Sequence, residues 1–167
     1  YGRSSRGKTT ALRIGASVWG KPIENGGDSF LQTWDATPVQ LERNAGVLMG
    51  IPLILDDTKR SRKPEDISKV IFMICQGRGK ARGNLSGFAA TPTWQTILIS
   101  SGEVPATSFS VDGGTRARTL EIGGRPFEGE NSDTARVVQR INQVVRENYG
   151  FAGPKFAEYV MNNQAKW

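Results

Sequence analysis

Residues 2–9, Gly-Arg-Ser-Ser-Arg-Gly-Lys-Thr, keep the spacing G-x-x-x-x-G-K-[ST] without a mismatch. Nothing else in the chain so narrows what it can fold into. Two glycines, Gly2 and Gly7, let the backbone curl until its N–H groups point inward, a concavity that bulkier residues resist. The N–H groups of Ser4, Ser5, Arg6 and Gly7 then face phosphate oxygens. Lys8 sets an ammonium against the β- and γ-phosphates, the Thr9 hydroxyl is a Mg²⁺ ligand, and Thr10 completes the binding segment. From Thr10 the sequence reads as a helix, with Leu12, Ala16 and Trp19 spaced for an inner face. Its N-terminus adds a positive dipole end beneath the phosphates. Chance alone should produce the pattern in about one per cent of chains this long. Such a loop joins a buried strand to a helix, yet only Tyr1 precedes Gly2. Tyr1 therefore reads as the last residue of a first strand otherwise missing from the sequence.

At 167 residues the chain has the length of one domain. Histidine is absent and Cys75 is the sole cysteine, which excludes His-based triads, imidazole relays and the usual zinc sites. A lone cysteine gives no disulfide framework and fits a reducing cytoplasm; within the apolar stretch VIFMICQG it reads as a buried, inert thiol. No apolar run approaches the ~20 residues that span a bilayer, so no membrane association is expected, and no signal peptide is visible. The net charge of +6 favours a polyanionic partner.

Further along, ENGGDS (24–29) reads as a loop, and Thr37-Pro38 opens a helix as N-cap and first helical residue. IPLILDDT (51–58) is a buried strand ending in two acids, and a helix starts near Pro64. Residues 78–93 are basic and glycine-rich, a loop or loose hairpin. WQTILISSGE (94–103) reads as a second buried strand and RARTLEIGG (116–124) as a third. Residues 132–148 form an amphipathic helix capped by Ser132 or Asp133, with Val137, Val138, Ile141, Val144 and Val145 as its apolar face. A last helix follows Pro154. Alternating strands and helices predict an α/β fold: a P-loop NTPase three-layer sandwich with a mostly parallel sheet and ligands at the carboxyl ends of its strands. Residues 1–131 are expected to form the core and 132–167 a helical segment packed on it or following it.

The strand LILDD supplies the second half of a nucleotide site. Asp56 would hold Mg²⁺ and Asp57 would polarise the attacking water. Ser101, with Ser100 at the next strand end, sits where a polar group would contact the γ-phosphate, and Glu103 is a further acid on that rim. The expected cofactors are ATP and Mg²⁺.

The stretches GRSSRGKTTALRIGASVWG, LILDD, QGRGKAR, ILISSGE and NYGFAGPKF together resemble the carboxyl-terminal ATPase region of the family called domain of unknown function nine hundred and twenty-seven. That resemblance covers nearly the whole chain. It implies an AAA+-like, ring-forming motor of phages and mobile elements that hydrolyses ATP while acting on DNA. The acid pair departs from the usual Asp-Glu, which leaves room for an inactivated copy. In such rings an arginine from the neighbouring subunit reaches the γ-phosphate; Arg116, with Arg118 as the alternative, stands at that place. Arg78, Lys80 and Arg82 alternate with small residues and are the candidate grip on single-stranded DNA phosphates, without sequence specificity. Two other readings stay open: a P-loop kinase, and a nucleotide-binding regulatory module with weak hydrolysis.

Overall fold

Leu53, Ile54 and Leu55 are apolar and β-prone, and with Asp56 all four residues of strand β2 (Leu53–Asp56) are buried, as expected of a strand covered on both faces. The computed structural model describes residues 1–24, 26–84, 87–110, 113–129 and 131–164. Asn25 of the expected loop, residues 85 and 86 of the basic segment and the end of the 132–167 segment lie outside them. The chain divides into two compact units: Tyr1–Gly2 with Thr33–Gly124, and Arg3–Gln32 with Arg125–Trp167. The glycine-rich loop after Gly2 therefore belongs with the C-terminal helices.

In the first unit, β2 pairs in parallel with β5 (Leu98–Ser100), Leu53 opposite Leu98 and Leu55 opposite Ser100. Strand β1 (Leu31–Thr33) takes the other side of β2, giving the order β1-β2-β5. The α/β class with a parallel, P-loop-like sheet is thus as the sequence predicts. Helix α2 (Pro38–Leu48) begins at Thr37, whose hydroxyl accepts the Gln40 N–H at 3.2 Å, and Pro38 costs nothing at a position with no intrahelical donor role. Helix α3 (Pro64–Gln76) also opens on a proline, without a side-chain cap from Lys63 before it. The core gathers Trp34, Leu41, Leu53, Leu55, Ile67, Val70, Ile74 and Trp94. Each such aliphatic side chain contributes about 1.5–3 kcal/mol by burial, and the Trp94 indole N–H is satisfied by the Ile74 carbonyl at 3.0 Å.

Three expectations for this unit need correction. Strand β5 is not buried: Leu98 is half-buried, and Ile99 and Ser100 are exposed. Residues 116–124 are not a third strand. Gly113–Ala117 is a short helix, α4, whose carbonyls are taken up by the Arg118 side chain on Gly114 and the Thr119 hydroxyl on Thr115, both at 2.8 Å. Beyond it, Tyr1 is bonded to the 122–124 segment through Ile122 and Gly124, and Gly2 N–H donates to the Gly102 carbonyl at 3.1 Å. Cys75 is exposed rather than buried; desolvation by its neighbours still raises its pKa, which keeps it a thiol at neutral pH.

The basic segment does form a hairpin, β3 (Gly83–Asn84) antiparallel to β4 (Gly87–Phe88). Its anchor is a residue the sequence reading passed over. Glu42, on the buried stripe of α2 with Leu41 and Ala45, is 2% exposed. Arg82 meets it with two parallel bonds of 2.7 Å, and the Lys80 N–H adds a third at 3.1 Å. Gly79 is needed for this approach, because a Cβ there would lie 2.5 Å from the Glu42 carboxylate. Its role is close passage, not mobility.

The second unit is built on α1 (Lys8–Trp19), packed against α5 (Ser132–Glu147) and α6 (Ala152–Asn162). Asn131, not Ser132 or Asp133, caps α5, its side chain accepting the Thr134 N–H at 2.9 Å. Only Val145 of the expected apolar face is buried, while Val137 is 54% exposed. Asn142 sets this rotation. Its amide donates to the Thr10 hydroxyl at 3.2 Å and accepts from Arg13 at 2.9 Å, and Arg13 is held in turn by Glu24 at 2.8 Å. A mixed polar stripe thus faces α1 in place of the full valine stripe.

The ion pair makes a testable contribution. Arg82→Ala strands a buried carboxylate and should cost about 2–3 kcal/mol, less than a fully enclosed pair because the Arg82 side chain is 42% exposed. Replacing both residues with leucine should recover most of the loss. The Arg82 guanidinium holds the Glu42 carboxyl below its ordinary value, with the Lys80 N–H helping and burial opposing. The pair therefore contributes fully above the unfolded glutamate pKa of about 4.3 and fades as pH falls through the lowered folded value. Urea unfolding should show the gap between the parent and Arg82→Ala closing below about pH 4.

Candidate functional site

Gly7 caps α1 in the left-handed region, at φ 85°, where a glycine bears no steric cost. As a glycine it brings no side chain to cap the helix, and a helix N-terminus favours negative charge through its dipole. Ser5 also has positive φ, 58°, and the two left-handed residues curl Ser4–Gly7 into the turn that the spacing predicted. Lys8 lies across the loop, its ammonium donating to the Arg3 carbonyl at 2.7 Å. Thr9 and Thr10 occupy the first turn of α1, with Thr10 buried and tied to Asn142. This loop opens into a cavity of about 1070 Å³ in the same unit, walled by α5 and by Arg125, Phe127, Gly129 and Asn131. Gly2 belongs to the other unit, where its N–H donates to the Gly102 carbonyl.

In the other unit the strand ends bring Asp56, Asp57, Ser101 and Glu103 into one neighbourhood. Asp56 and Ser101 are 4% and 7% exposed. The Ser101 hydroxyl donates to Asp56 Oδ1 in a very short bond and accepts the Asp57 N–H at 3.0 Å. Ser101 also pairs through its backbone with Leu55 and Thr58, so one residue closes the ends of both parallel strands. Ser100 faces differently, accepting the Trp34 indole N–H at 2.8 Å. Asp57 has φ 57°, and its carboxylate caps a 3₁₀ turn (Thr58–Arg60) by accepting the Lys59 N–H at 3.1 Å. The Lys59 side chain pairs with Glu103, which raises the lysine pKa.

Two residues after Asp56, the buried Thr58 hydroxyl has no hydrogen-bond partner among the described residues. Carboxylate and hydroxyl oxygens are hard donors of the kind Mg²⁺ takes. No group of three His, Cys, Asp or Glu that could hold a metal gathers among the described residues.

Of the remaining expected residues, Arg116 lies exposed at the end of α4 and Arg118 is bonded to Gly114. Arg78 and Lys80 are exposed, whereas Arg82 is spent on Glu42. Sequence reasoning missed Glu42 and the cavity wall, Phe127 with Gln139 and Gln143 on α5. A glutamate on the apolar stripe of α2 was a readable signal; the wall had none, since its residues look like ordinary helix surface.

Ser101→Ala removes both the donor to Asp56 and the acceptor for Asp57. Leaving those buried groups short should cost about 1–3 kcal/mol, seen as a lower denaturation midpoint with an unchanged m-value.

Comparison with known proteins gives two matches. A solved structure described as "SCCmec type IV Cch - active helicase" aligns with a TM-score of 0.71 and 27% identity, covering 99% of this chain and 28% of that one. The chain thus spans little more than a quarter of its helicase neighbour. No curated protein matches significantly. Among the described residues no helix is long and apolar enough to cross a membrane. The family profile "Domain of unknown function (DUF927)" matches residues 1–94, and since this is more than half of the 167 residues, the chain belongs to the DUF927 family.

Proposed function

We propose that this chain is the ATP-binding and hydrolysing core of a mobile-element or phage DNA helicase, Mg²⁺-dependent and working as a self-assembled ring. The observation that carries this reading is the loop at α1: a left-handed Gly7 followed by Lys8 and Thr9, in a chain that aligns almost entirely with a described active helicase. In this reading Lys8 neutralises the β- and γ-phosphates, Thr9 and Asp56 are the Mg²⁺ ligands, Asp57 orients the attacking water, Ser101 fixes Asp56, and Arg116 reaches the nucleotide of a neighbouring subunit. The loop amides from Ser4 to Gly7 cradle the phosphates.

A second reading has one observation in its favour. The Asp57 carboxylate already accepts the Lys59 N–H, and a base engaged as a turn cap orients water less well than a free one. A nucleotide-binding module with weak hydrolysis is the form the protein takes if that cap persists in the bound state. Nothing in the described geometry favours the kinase reading.

For DNA, the exposed pair Arg78 and Lys80 is the grip, and Arg82 is its structural anchor through Glu42. Each phosphate contact to a single strand contributes a log–log salt slope of about 0.7.

Lys8→Ala should abolish ATP binding by calorimetry and with it all hydrolysis. Unchanged affinity would remove the phosphate-loop assignment. Single-stranded DNA should stimulate the parent ATPase, and Arg78→Ala with Lys80→Ala should remove that stimulation, leave the basal rate intact and flatten the salt dependence. Hydrolysis indifferent to DNA in the parent would favour the weakly hydrolysing module, whereas a double variant stimulated as strongly as the parent would overturn the assignment of the grip to Arg78 and Lys80.

A further inference from the structure

The cavity beside the phosphate loop is far larger than three phosphates need. At about 1070 Å³ it stands at the upper end of small-molecule sites, roughly 300–1,000 Å³. Phosphates held by loop amides would occupy only the end formed by Ser4–Gly7, leaving the wall made by α5 with Arg125, Phe127 and Gly129 for whatever the phosphates carry.

That wall has the composition of a nucleobase site. Phe127 is half-buried, with its ring laid directly on Gly7: a Cβ on that glycine would come within 2.6 Å of Cδ2 and 2.9 Å of Cε2. An aromatic face is thereby fixed at the edge of the phosphate loop, where a base could stack on it. On α5, Gln139 and Gln143 lie four residues apart, on one face, and both line the cavity; Gln143 makes only exposed bonds within its own helix, from Arg140 at 3.2 Å and to Glu147 at 3.5 Å, which a base edge would replace. A carboxamide presents one donor and one acceptor side by side, the complement of the N6 amino group and N7 of adenine. Arg13, whose fork would suit a guanine edge, is already held by Glu24 and Asn142. Asn142 also bonds Thr10, so the base wall is tied in register to the helix that the phosphate loop opens. Exposed Arg125 and Arg146 line the same space and add positive potential suited to a polyphosphate.

We infer that this cavity is the adenine subsite of the bound nucleotide: the base stacks on Phe127, and its edge is read by the carboxamides of Gln139 and Gln143. The inference rests on the phosphate-loop reading above and adds what distinguishes ATP from bare phosphate and from GTP.

Titration of the protein with ATP, GTP and inorganic tripolyphosphate separates the two readings. Phe127→Ala should weaken ATP by roughly 5- to 100-fold, the range for one base–aromatic stack, and leave tripolyphosphate unchanged; Phe127→Trp should restore ATP binding. Gln139→Ala with Gln143→Ala should erase the preference for ATP over GTP. Equal loss of ATP and tripolyphosphate in Phe127→Ala would mean that the ring only props the loop, and the subsite would fall. It would fall equally if Phe127→Ala bound ATP like the parent, or if the parent bound GTP as tightly as ATP. Lys8→Ala tests the phosphate loop alone: it should weaken tripolyphosphate and ATP together, and failure there removes both readings at once.

Discussion

A single hydroxyl, that of Ser101, holds together the ends of β2 and β5. The two strands share only three register pairs, too short a parallel ladder to fix its own terminus, and parallel pairing is slightly the weaker kind. Ser101 supplies what the ladder lacks. It donates to the buried Asp56 carboxylate and accepts from Asp57, so a charge that would be costly to enclose alone is enclosed with a partner. The direction of everything that follows β2 depends on this clasp: Asp56 stays inside, and the chain leaves through a strained Asp57 into the 3₁₀ turn.

The second unit uses the same device with a different residue. Asn142 joins α5 to α1 through Thr10 and Arg13. Its value is positional, since amphipathicity alone would have turned the valine stripe inward. A polar group with all its bonds made specifies one rotation of a helix where apolar side chains would accept several. The Glu42–Arg82 pair does likewise for the basic hairpin, pinning residues forty positions apart. In each case a saturated polar side chain sets direction, and apolar burial supplies the bulk of the stability.

Legibility from sequence followed the range of the forces involved. The loop at residues 2–9, the strand at 53–56 and the helix starts at Pro38 and Pro64 are local matters of glycine freedom, apolar runs and capping, and each stands where the residues place it. Residues 116–124 misled because their β-prone character was weighed without Thr119 and Arg118, whose side chains close a short helix instead. The apolar face of α5 misled because Asn142 outweighs its valines, a choice made only when α1 is present. Arg82 looked like a surface cation because its partner lies on another helix. Phe127 carried no local signal at all. Its place is defined by contact with Gly7, more than a hundred residues earlier.

The positive φ of Asp57 bears on a detail that looked chemical, an aspartate where the related ATPases have glutamate. Among residues with a side chain, aspartate and asparagine are the ones that tolerate such backbone angles, because their short polar groups can bond locally, as Asp57 does to Lys59. Glutamate is one methylene too long to make that local bond and has no such licence. The identity of the acid is therefore dictated by the turn before any question of reactivity arises. Lengthening Asp57 by one methylene would forfeit the bond to the Lys59 N–H, so the turn registers the change even where no nucleotide is bound.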